Sequence, residues 1–440
     1  MKDVSRRDFL KYVGAGALGL VARPRLLAAF DRGLFPAGEP SDVVQCFHED
    51  ATSGSTVNEP VVQMMVDESI MALARIRNVG EAWKTVFPDI TGKSVIGIKV
   101  NCASRQNPTR PEVVRCIANG LAQMDFGGTL FKKNNIIIWE RTNSELTAAG
   151  FTKYTGSDPD TVRCFGTNES GVGYDSSVTF TVANSSDQHP SNILSQTIDY
   201  LINAAVLKTH ATADETLTLK THYGSVSNST GLQHTSGGSP AIPSLNQQIR
   251  DVLTPKAIQK LFLIDGLFGM YSGGPSGPPN FNPKLILMSK DTVACDTQGQ
   301  NVINAERALH SLTPLDAAHI RAAAEPPYEL GTTVINLIEL NNVGVGDAGR
   351  PVPGDGRFEV SPEPMRDRAV VTFTVSRPGS ASLELLNAAG RTEARLFAGT
   401  LYKGKHRVNW TAPRKLAGGT YFLRLNHAGA VRVRKVLVVD

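Results

Sequence analysis

The sequence predicts an α/β protein with a mainly parallel sheet and flanking helices, followed by a small all-β sandwich. From residue 94 to residue 340, six apolar runs of strand length alternate with segments of helical periodicity. That alternation is typical of a parallel sheet covered on both faces. After a stretch dense in Gly and Pro at 344–367, short alternating strands are separated by Gly-containing turns, which predicts the sandwich.

The bulk composition limits the class of protein. The chain has 440 residues, of which 41% are hydrophobic and 20% charged, so two globular domains are expected. Its 45 Lys and Arg residues against 41 Asp and Glu give a net charge of only +4, with no basic run outside the N-terminus. We therefore expect no nucleic-acid partner.

The first thirty residues predict an export signal. Ser5–Lys11 (SRRDFLK) matches the twin-arginine consensus, and the uncharged stretch Tyr12–Ala22 is too short to span a bilayer comfortably. We expect residues 1–30 to be a signal peptide read by the twin-arginine translocase. The predicted destination is the periplasm, the cell surface or the extracellular space. Residues 31–60, rich in Gly, Pro and Ser, are expected to be a linker.

The predicted α/β domain covers residues 61–345. Its expected strands are 94–101, 135–140, 202–208, 260–265, 284–289 and 333–340. One helix is expected from Pro111, because proline is tolerated in a first turn, and two more at 191–202 and 291–309, which open on Ser or Asp caps. A second linker is expected at 346–366 and the sandwich at 367–440, with core candidates Trp410, Tyr421 and Phe422.

The cysteines argue against a metal–sulfur centre. Five are scattered along the chain without a C-x-x-C pair: Cys46, Cys102, Cys116, Cys164 and Cys295. We expect no iron–sulfur cluster, and we favour isolated buried thiols over one or two disulfides, which an oxidising compartment would allow.

Polar residues follow the predicted strands where each strand ends. The first four predicted strands end on Lys99, Asn101, Glu140, Lys208, His210 and Asp265. Asp291 follows the fifth strand. Because the carboxyl ends of parallel strands meet at one edge of a sheet, these side chains are expected to converge. Lysine suits a carboxylate or phosphate. Either a small anionic ligand joins the lysines, or Glu140, Asp265 and Asp296 neutralise them.

A repeated tetrapeptide adds imidazoles to this expectation. Leu-Lys-Thr-His occurs at 207–210 and again at 219–222, and His210, His222 and His234 are spaced by twelve residues. With Asp265 or Glu140, these imidazoles could hold a divalent metal ion that acidifies a bound water. The alternative is that they form hydrogen bonds or act as acid and base without metal.

The motifs IKVN, VLKTH, TLTLKTHYGS, IDGLFGMYSGGPSG and MSKDTVACD, in this order, resemble the prokaryotic domain-of-unknown-function family numbered 362, especially its twin-arginine-exported branch. The resemblance covers 61–343 and implies an α/β fold, but it supplies no activity. It implies recurrent polar positions at Lys99, Asn101, Lys208, His210, Lys220, His222, His234, Asp265, Asp291 and Asp296. Some members carry ferredoxin-type cysteines that this chain lacks, which weakens an oxidoreductase role. Thr221 stands where members commonly have Asn.

The C-terminal segment resembles the Ig-like module of flagellar hook-capping proteins and the sorting domains of type IX secretion. The match depends on Gly390, Arg391, Gly404, Trp410, Gly419 and Tyr421. It implies either a passive accessory module or recognition by type IX secretion machinery as a partner.

Together these patterns predict an exported enzyme of unassigned reaction that acts on a small anionic substrate. The expected catalytic residues are His210, His222, Lys208 and Asp265, and the expected substrate-binding residues are Lys99, Asn101, Lys220 and His234. If a metal ion assists, the expected ligands are Glu140, His210, Asp265 and Asp296. The alternatives are a non-catalytic ligand- or surface-binding protein, or an oxidoreductase by family association.

Overall fold

The chain forms two units that divide after Val343. The computed structural model describes residues 39–343 and 359–439, the latter with gaps at 367, 376–378, 388–390, 402–403, 413–415 and 428–429. The predicted signal peptide at 1–30 lies outside the described residues. No helix in the described part is long and apolar enough to cross a bilayer.

A nine-stranded sheet is the centre of the first unit. Its strands are β1 (Ser41–Phe47), β4 (Ile96–Val100), β5 (Ile136–Trp139), β6 (Arg163–Cys164), β7 (Tyr200–His210), β8 (Asp214–Thr216), β9 (Ile258–Met270), β10 (Leu285–Ser289) and β11 (Ile335–Asn341). The order is β11-β1-β10-β9-β7-β4-β5-β6, and β8 pairs with β7. Two short strands, β2 (Thr52–Ser53) and β3 (Thr56–Val57), pair with each other.

The sheet is largely parallel, as predicted. On its main path, β10 alone is antiparallel to its neighbours, β1 and β9, while the other pairs are parallel. The reversed direction of β10 has a consequence for Asp291, which follows that strand. Asp291 lies at the opposite edge from the carboxyl ends of the parallel strands, so the expectation that it joins their rim is wrong.

Seven α-helices flank the sheet in the described part of this unit. They are α1 (Glu59–Ala74), α2 (Val79–Val86), α3 (Pro111–Leu121), α4 (Asn143–Ala148), α5 (Ala241–Leu253), α6 (Thr292–Leu309) and α7 (Ala318–Ala324). One apolar core packs α1, α2 and α3 against one face of the sheet. Two further clusters pack α5, α7 and α6 against the other face. Coverage on both faces explains the continuous burial of β4 and β10.

The first predicted linker, 31–60, is wrong in its described part, and its residues 31–38 lie outside the described residues. Ser41–Phe47 is β1, which is almost fully buried between β10 and β11, and α1 begins at Glu59. The Gly and Pro residues around this strand are typical of loops, so the composition of the segment did not indicate a strand.

The helix expected at 191–202 is also wrong. Only Ile193–Thr197 forms a short π-helix, and β7 begins at Tyr200. Residues 200–209 are buried between β4 and β9, so sheet packing overrides the local helical periodicity. The helices expected from Pro111 and at 291–309 are present as α3 and α6.

The second unit is all-β in its described residues. Its strands are β12 (Glu359–Ser361), β13 (Arg368–Val375), β14 (Gly379–Asn387), β15 (Thr392–Leu401), β16 (Gly404–Thr411), β17 (Gly419–His427) and β18 (Ala430–Val438). They form two antiparallel sheets, β12-β13-β16 and β15-β14-β17-β18. Tyr421 is buried in their shared core and Trp410 packs against it, whereas Phe422 does not belong to this core. The predicted linker at 346–366 lies mostly outside the described residues, and its last part is wrong because β12 pairs there with β13.

All five cysteines are described and buried, and none forms a disulfide. Burial raises the pKa of the Cys116 and Cys164 thiols to about 12. These thiols therefore stay protonated at neutral pH.

Candidate functional site

A cavity of about 250 Å³ lies where β4, β5 and β7 end. Six of the predicted site residues line it: Asn101, Glu140, Lys208, His210, Lys220 and His234. Pro275 and Ser276, from the loop after β9, complete one side. The sheet therefore brings most of the predicted rim residues together.

Lys208 reaches this cavity from the end of β7. Its side chain is 1% exposed, and its ammonium donates to Oδ1 of Asn101 at 3.2 Å and to the carbonyl of Asn107 at 3.4 Å. Burial lowers the pKa of Lys208 to about 8. Its two hydrogen-bond acceptors are neutral, so they do not compensate its charge.

Lys220 faces the same cavity from a 3₁₀ helix, Leu219–Ser225. Its ammonium lies 4.3 Å from the ring centroid of Tyr223, which is a cation–π contact. Burial, and then the charge of Lys208, lowers the pKa of Lys220 to about 8. Among the described residues, no carboxylate forms an ion pair with Lys208 or Lys220.

Asp296 of α6 binds the first residues of the 3₁₀ helix. Its carboxylate accepts from the backbone N–H of Thr218 at 2.8 Å, from the Thr218 hydroxyl at 2.6 Å and from the N–H of Leu219 at 2.9 Å. Burial raises the pKa of Asp296 to about 7. Asp296 therefore positions the segment that carries Lys220 and does not itself line the cavity.

His222 is fully buried behind the cavity. Its Nδ1 lies 3.0 Å from the Ser225 hydroxyl and its Nε2 lies 3.0 Å from Oε1 of Gln259. Burial lowers the pKa of His222 to about 4, so the ring is neutral. His222 joins the 3₁₀ helix to β9, and the structure does not place it where the predicted catalytic role requires.

Lys99 and Glu140 form a buried ion pair, with Nζ 2.6 Å from Oε1. The Glu140 carboxylate also accepts from the N–H of Cys102 at 3.0 Å and from the N–H of Arg141 at 2.8 Å. Because the pair is complete, Lys99 is not an available anion-binding group. Its role is to hold the ends of β4 and β5 together.

Two imidazoles, His210 and His234, also line the cavity. Nδ1 of His210 accepts from the backbone N–H groups of Thr212 and Ala213, each at 3.2 Å, whereas Nδ1 of His234 lies 2.8 Å from the carbonyl of Leu232. The two ring centroids are 6.2 Å apart, and Tyr223 meets His234 edge-on at 5.0 Å. Burial, and then Lys220, lowers the pKa of His210 to about 3, and burial also lowers the pKa of His234.

Asp265 lies outside the cavity lining. Its carboxylate accepts from the N–H of Arg110 at 2.8 Å and of Leu267 at 3.1 Å. Its strand partner is Val206, and the register of β7 against β9 then shifts, so that Lys208 pairs with Met270. Asp265 anchors the loop that follows β4 and does not take the predicted catalytic position.

The predicted metal ligands are not brought together. Glu140 lines the cavity as the partner of Lys99, while Asp265 and Asp296 bind backbone amides elsewhere. Across the described residues, no group of three or more His, Cys, Asp or Glu side chains is arranged to hold a metal ion.

Asp291 caps α6 through the N–H groups of Val293 and Ala294, at 2.8 Å and 3.0 Å.

Several lining residues were not predicted from the sequence. The ring of Tyr223 makes the cation–π contact with Lys220. Arg141 directly follows Glu140 and forms an ion pair with Glu145 of α4. Hydroxyl groups come from Ser104, Thr216 and Thr230, among others. Tyr223 could have been found, because it stands three residues after Lys220 in a helical turn; isolated Ser and Thr residues carry no such signal.

One family model matches part of the α/β unit. Residues 96–301 match the model of the family described as Domain of unknown function (DUF362), which supports placing the α/β unit in that family. A comparison with curated proteins finds none that matches the chain.

Solved structures give only weak overlaps. Pseudomonas fluorescens alkylpurine DNA glycosylase AlkC, bound to DNA containing an abasic site analog, is 14% identical over 20% of this chain and 30% of its own, with a TM-score of 0.15. A Cellulomonas fimi endo-beta-1,4-mannanase double mutant is 10% identical over 93% of this chain and 88% of its own, with a TM-score of 0.18. This chain thus spans 30% of the glycosylase. Overlaps of this size carry no argument about fold or function.

Proposed function

We propose that this chain, whose α/β unit matches the DUF362 family, binds a small oxyanion in the cavity and acts as an enzyme on a small anionic substrate. One observation carries the proposal: Lys208 and Lys220 are both buried, line the same cavity and form no ion pair with a described carboxylate.

Electrostatics explains why this arrangement implies a ligand. Burying a charge costs several kcal/mol unless it is paired. The nearby Lys99 has such a partner in Glu140, so the fold neutralises one lysine internally and leaves the other two facing the cavity. An anion between Lys208 and Lys220 would remove their mutual repulsion and raise both pKa values toward that of an ordinary lysine. The cavity is therefore completed by a negative ligand.

The surrounding groups favour catalysis over simple capture. His210 and His234 line the cavity beside the lysines as neutral rings with lowered pKa values, and a bound anion would raise those pKa values toward the range in which an imidazole exchanges a proton near neutral pH. Turnover of a bound anion separates an enzyme from a non-catalytic ligand-binding protein.

Isothermal titration calorimetry with inorganic phosphate tests the site. Lys208→Met and Lys220→Met keep the stem length and remove the charge. Each should weaken binding by at least about tenfold, because a hydrogen bond to a charged group contributes roughly 1.5–3 kcal/mol. Unchanged affinity in both variants, or no binding by the wild-type protein, would refute the proposal.

A matched control comes from a lysine outside the cavity. Lys256 pairs with Asp199 at 2.7 Å and is 44% exposed. Lys256→Met also removes one positive charge from the chain, so it should leave phosphate affinity unchanged if the effect is local.

We also propose that the twin-arginine translocase exports the protein to the periplasm or beyond. Ser5–Lys11 supports this route. The two antiparallel sheets of the second unit are compatible with an Ig-like module, which either remains as an accessory or is read by type IX secretion machinery.

A further inference from the structure

The two cavity histidines hold opposite tautomers. Nδ1 of His210 accepts two backbone N–H bonds, so the proton of the neutral ring must be on Nε2. Nδ1 of His234 lies 2.8 Å from a carbonyl oxygen, which can only accept, so this nitrogen carries the proton and Nε2 is bare. Local backbone bonds thus make His210 a donor and His234 an acceptor at their remaining nitrogens.

Both remaining nitrogens are available to a ligand. Within the described part of the chain, neither Nε2 atom has a hydrogen-bond partner, and both rings line the cavity. The carboxylates of the lining are already engaged, because Glu140 accepts from Lys99 and two backbone N–H groups, and Glu145 accepts from Arg141 and Thr142. Nε2 of His234 is therefore an acceptor set among groups that otherwise attract negative oxygen.

We infer that the cavity selects an oxyanion that retains an O–H group over an oxyanion that has none, with Nε2 of His234 accepting the hydrogen bond from this O–H group. The inference rests on the proposed anion-binding function and adds the class of ligand. Oxygen atoms would bind Lys208, Lys220 and the Nε2–H of His210, while the O–H would donate to Nε2 of His234. An anion without a proton would place an oxygen atom next to the lone pair on Nε2 of His234. Neither that oxygen nor Nε2 would then have a hydrogen-bond donor.

Inorganic phosphate and sulfate separate the two cases, since they share a tetrahedral shape but only phosphate keeps an O–H at neutral pH. Calorimetry should show phosphate binding at least about tenfold tighter than sulfate, the size expected for one unsatisfied polar contact. In His234→Phe the ratio of the two affinities should approach one. In Lys208→Met both affinities should fall together.

His189 supplies the matched control. Its Nδ1 makes the same type of contact, 2.8 Å from the carbonyl of Val178, and it does not line the cavity. His189→Phe should retain the phosphate preference of the wild-type protein. Equal binding of phosphate and sulfate by the wild type would overturn the inference and leave the anion site intact. Binding of neither anion would instead overturn the proposed function and the inference with it.

A measurement on the unmodified protein avoids any folding defect of the His234 variant. Long-range ¹H–¹⁵N correlation spectra distinguish a protonated ring nitrogen from a bare one, with the His234 ring assigned through its bonds to the backbone of the wild-type protein. The expected result is a proton on Nδ1 and none on Nε2. A proton on Nε2 would refute the assignment of His234 as the acceptor.

Discussion

In the proposed anion site, Lys208 and Lys220 are the groups that attract the ligand, because each is buried without forming an ion pair with a described carboxylate. Burial is the first cause of the lowered pKa in both, and Lys208 adds to the effect at Lys220. Lys99, at a similar depth, has its charge compensated by Glu140 at 2.6 Å. At the scale of single residues, the site therefore consists of two uncompensated cations beside two neutral imidazoles.

Anion affinity should depend on pH through these lysines. With pKa values of about 8 in place of 10.5, both ammonium groups lose their protons as the pH rises through about 8. Sulfate keeps its charge over this range, so its affinity measured by calorimetry should fall between pH about 7 and about 9.5. A constant affinity across that interval would contradict the assignment of both lysines to the anion.

The same two groups affect stability in the opposite direction. Between pH about 8 and 10.5 the unfolded chain binds more protons at Lys208 and Lys220 than the folded chain does. Their contribution to the free energy of unfolding therefore rises with pH in this window. Loss of sulfate affinity above pH 8 would thus not be explained by unfolding caused by these lysines.

The sequence allowed the lining residues at strand ends to be predicted, but not the roles of the buried acids. Asn101 and Glu140 directly follow β4 and β5, and Lys208 and His210 lie at the carboxyl end of β7. Parallel topology is therefore enough to bring these four residues together. Asp296 stands within the first turns of α6, and its contact with Thr218 is set by how α6 packs on the sheet. No local pattern encodes that packing.

The 3₁₀ helix at 219–225 is the element that brings Lys220 to the cavity, and at Gly224 it packs against the side chains of Glu140 and Lys99. A Cβ atom at position 224 would lie 2.4 Å from Oε1 of Glu140 and 3.1 Å from Nζ of Lys99. The helix therefore packs directly on the buried ion pair, and only glycine leaves room for that approach.

Gly224→Ala should destabilise the protein by about 1–3 kcal/mol, the usual cost of overpacking a buried site. It should also weaken phosphate binding, because the helix that carries Lys220 must move. Denaturant unfolding at an unchanged m-value measures the first effect and calorimetry the second. Gly92→Ala is the control, since its added carbon would lie 3.7 Å from Phe126, an ordinary contact. Equal stability of the two variants would show that the close approach at Gly224 is not maintained in solution.

Elements were predictable where local and tertiary signals agree. The helix expected at 291–309 is present because Asp291 caps it and its buried side chains face the sheet. The helix expected at 191–202 is replaced by β7, whose eleven residues pair with β4, β8 and β9. A buried apolar segment of this length fits either structure, and the pairing of distant strands decides which forms.

At the scale of the whole molecule, sheet order determines which strand ends form the site. β4, β5 and β7 are parallel neighbours, so their carboxyl ends meet at one edge, whereas β10 runs the other way and places Asp291 at the far edge. The direction of β10 could not be predicted from its sequence, because a strand buried on both faces has the same composition in either direction. One reversed strand thus accounts for the error about Asp291.

The proposed export concerns the whole chain, and the sequence motif makes the proposal testable. Replacing Arg6 and Arg7 by lysine keeps the positive charge but removes the paired guanidinium groups of the consensus, so the protein should accumulate in the cytoplasm of its host. Cell fractionation followed by immunoblotting measures the distribution. Lys2→Arg, nearby in the same segment, should leave export unchanged. Wild-type protein found only in the cytoplasm of a host with an active twin-arginine translocase would contradict the proposed route, and it would leave the anion site unaffected because the cavity lining lies entirely within residues 101–276.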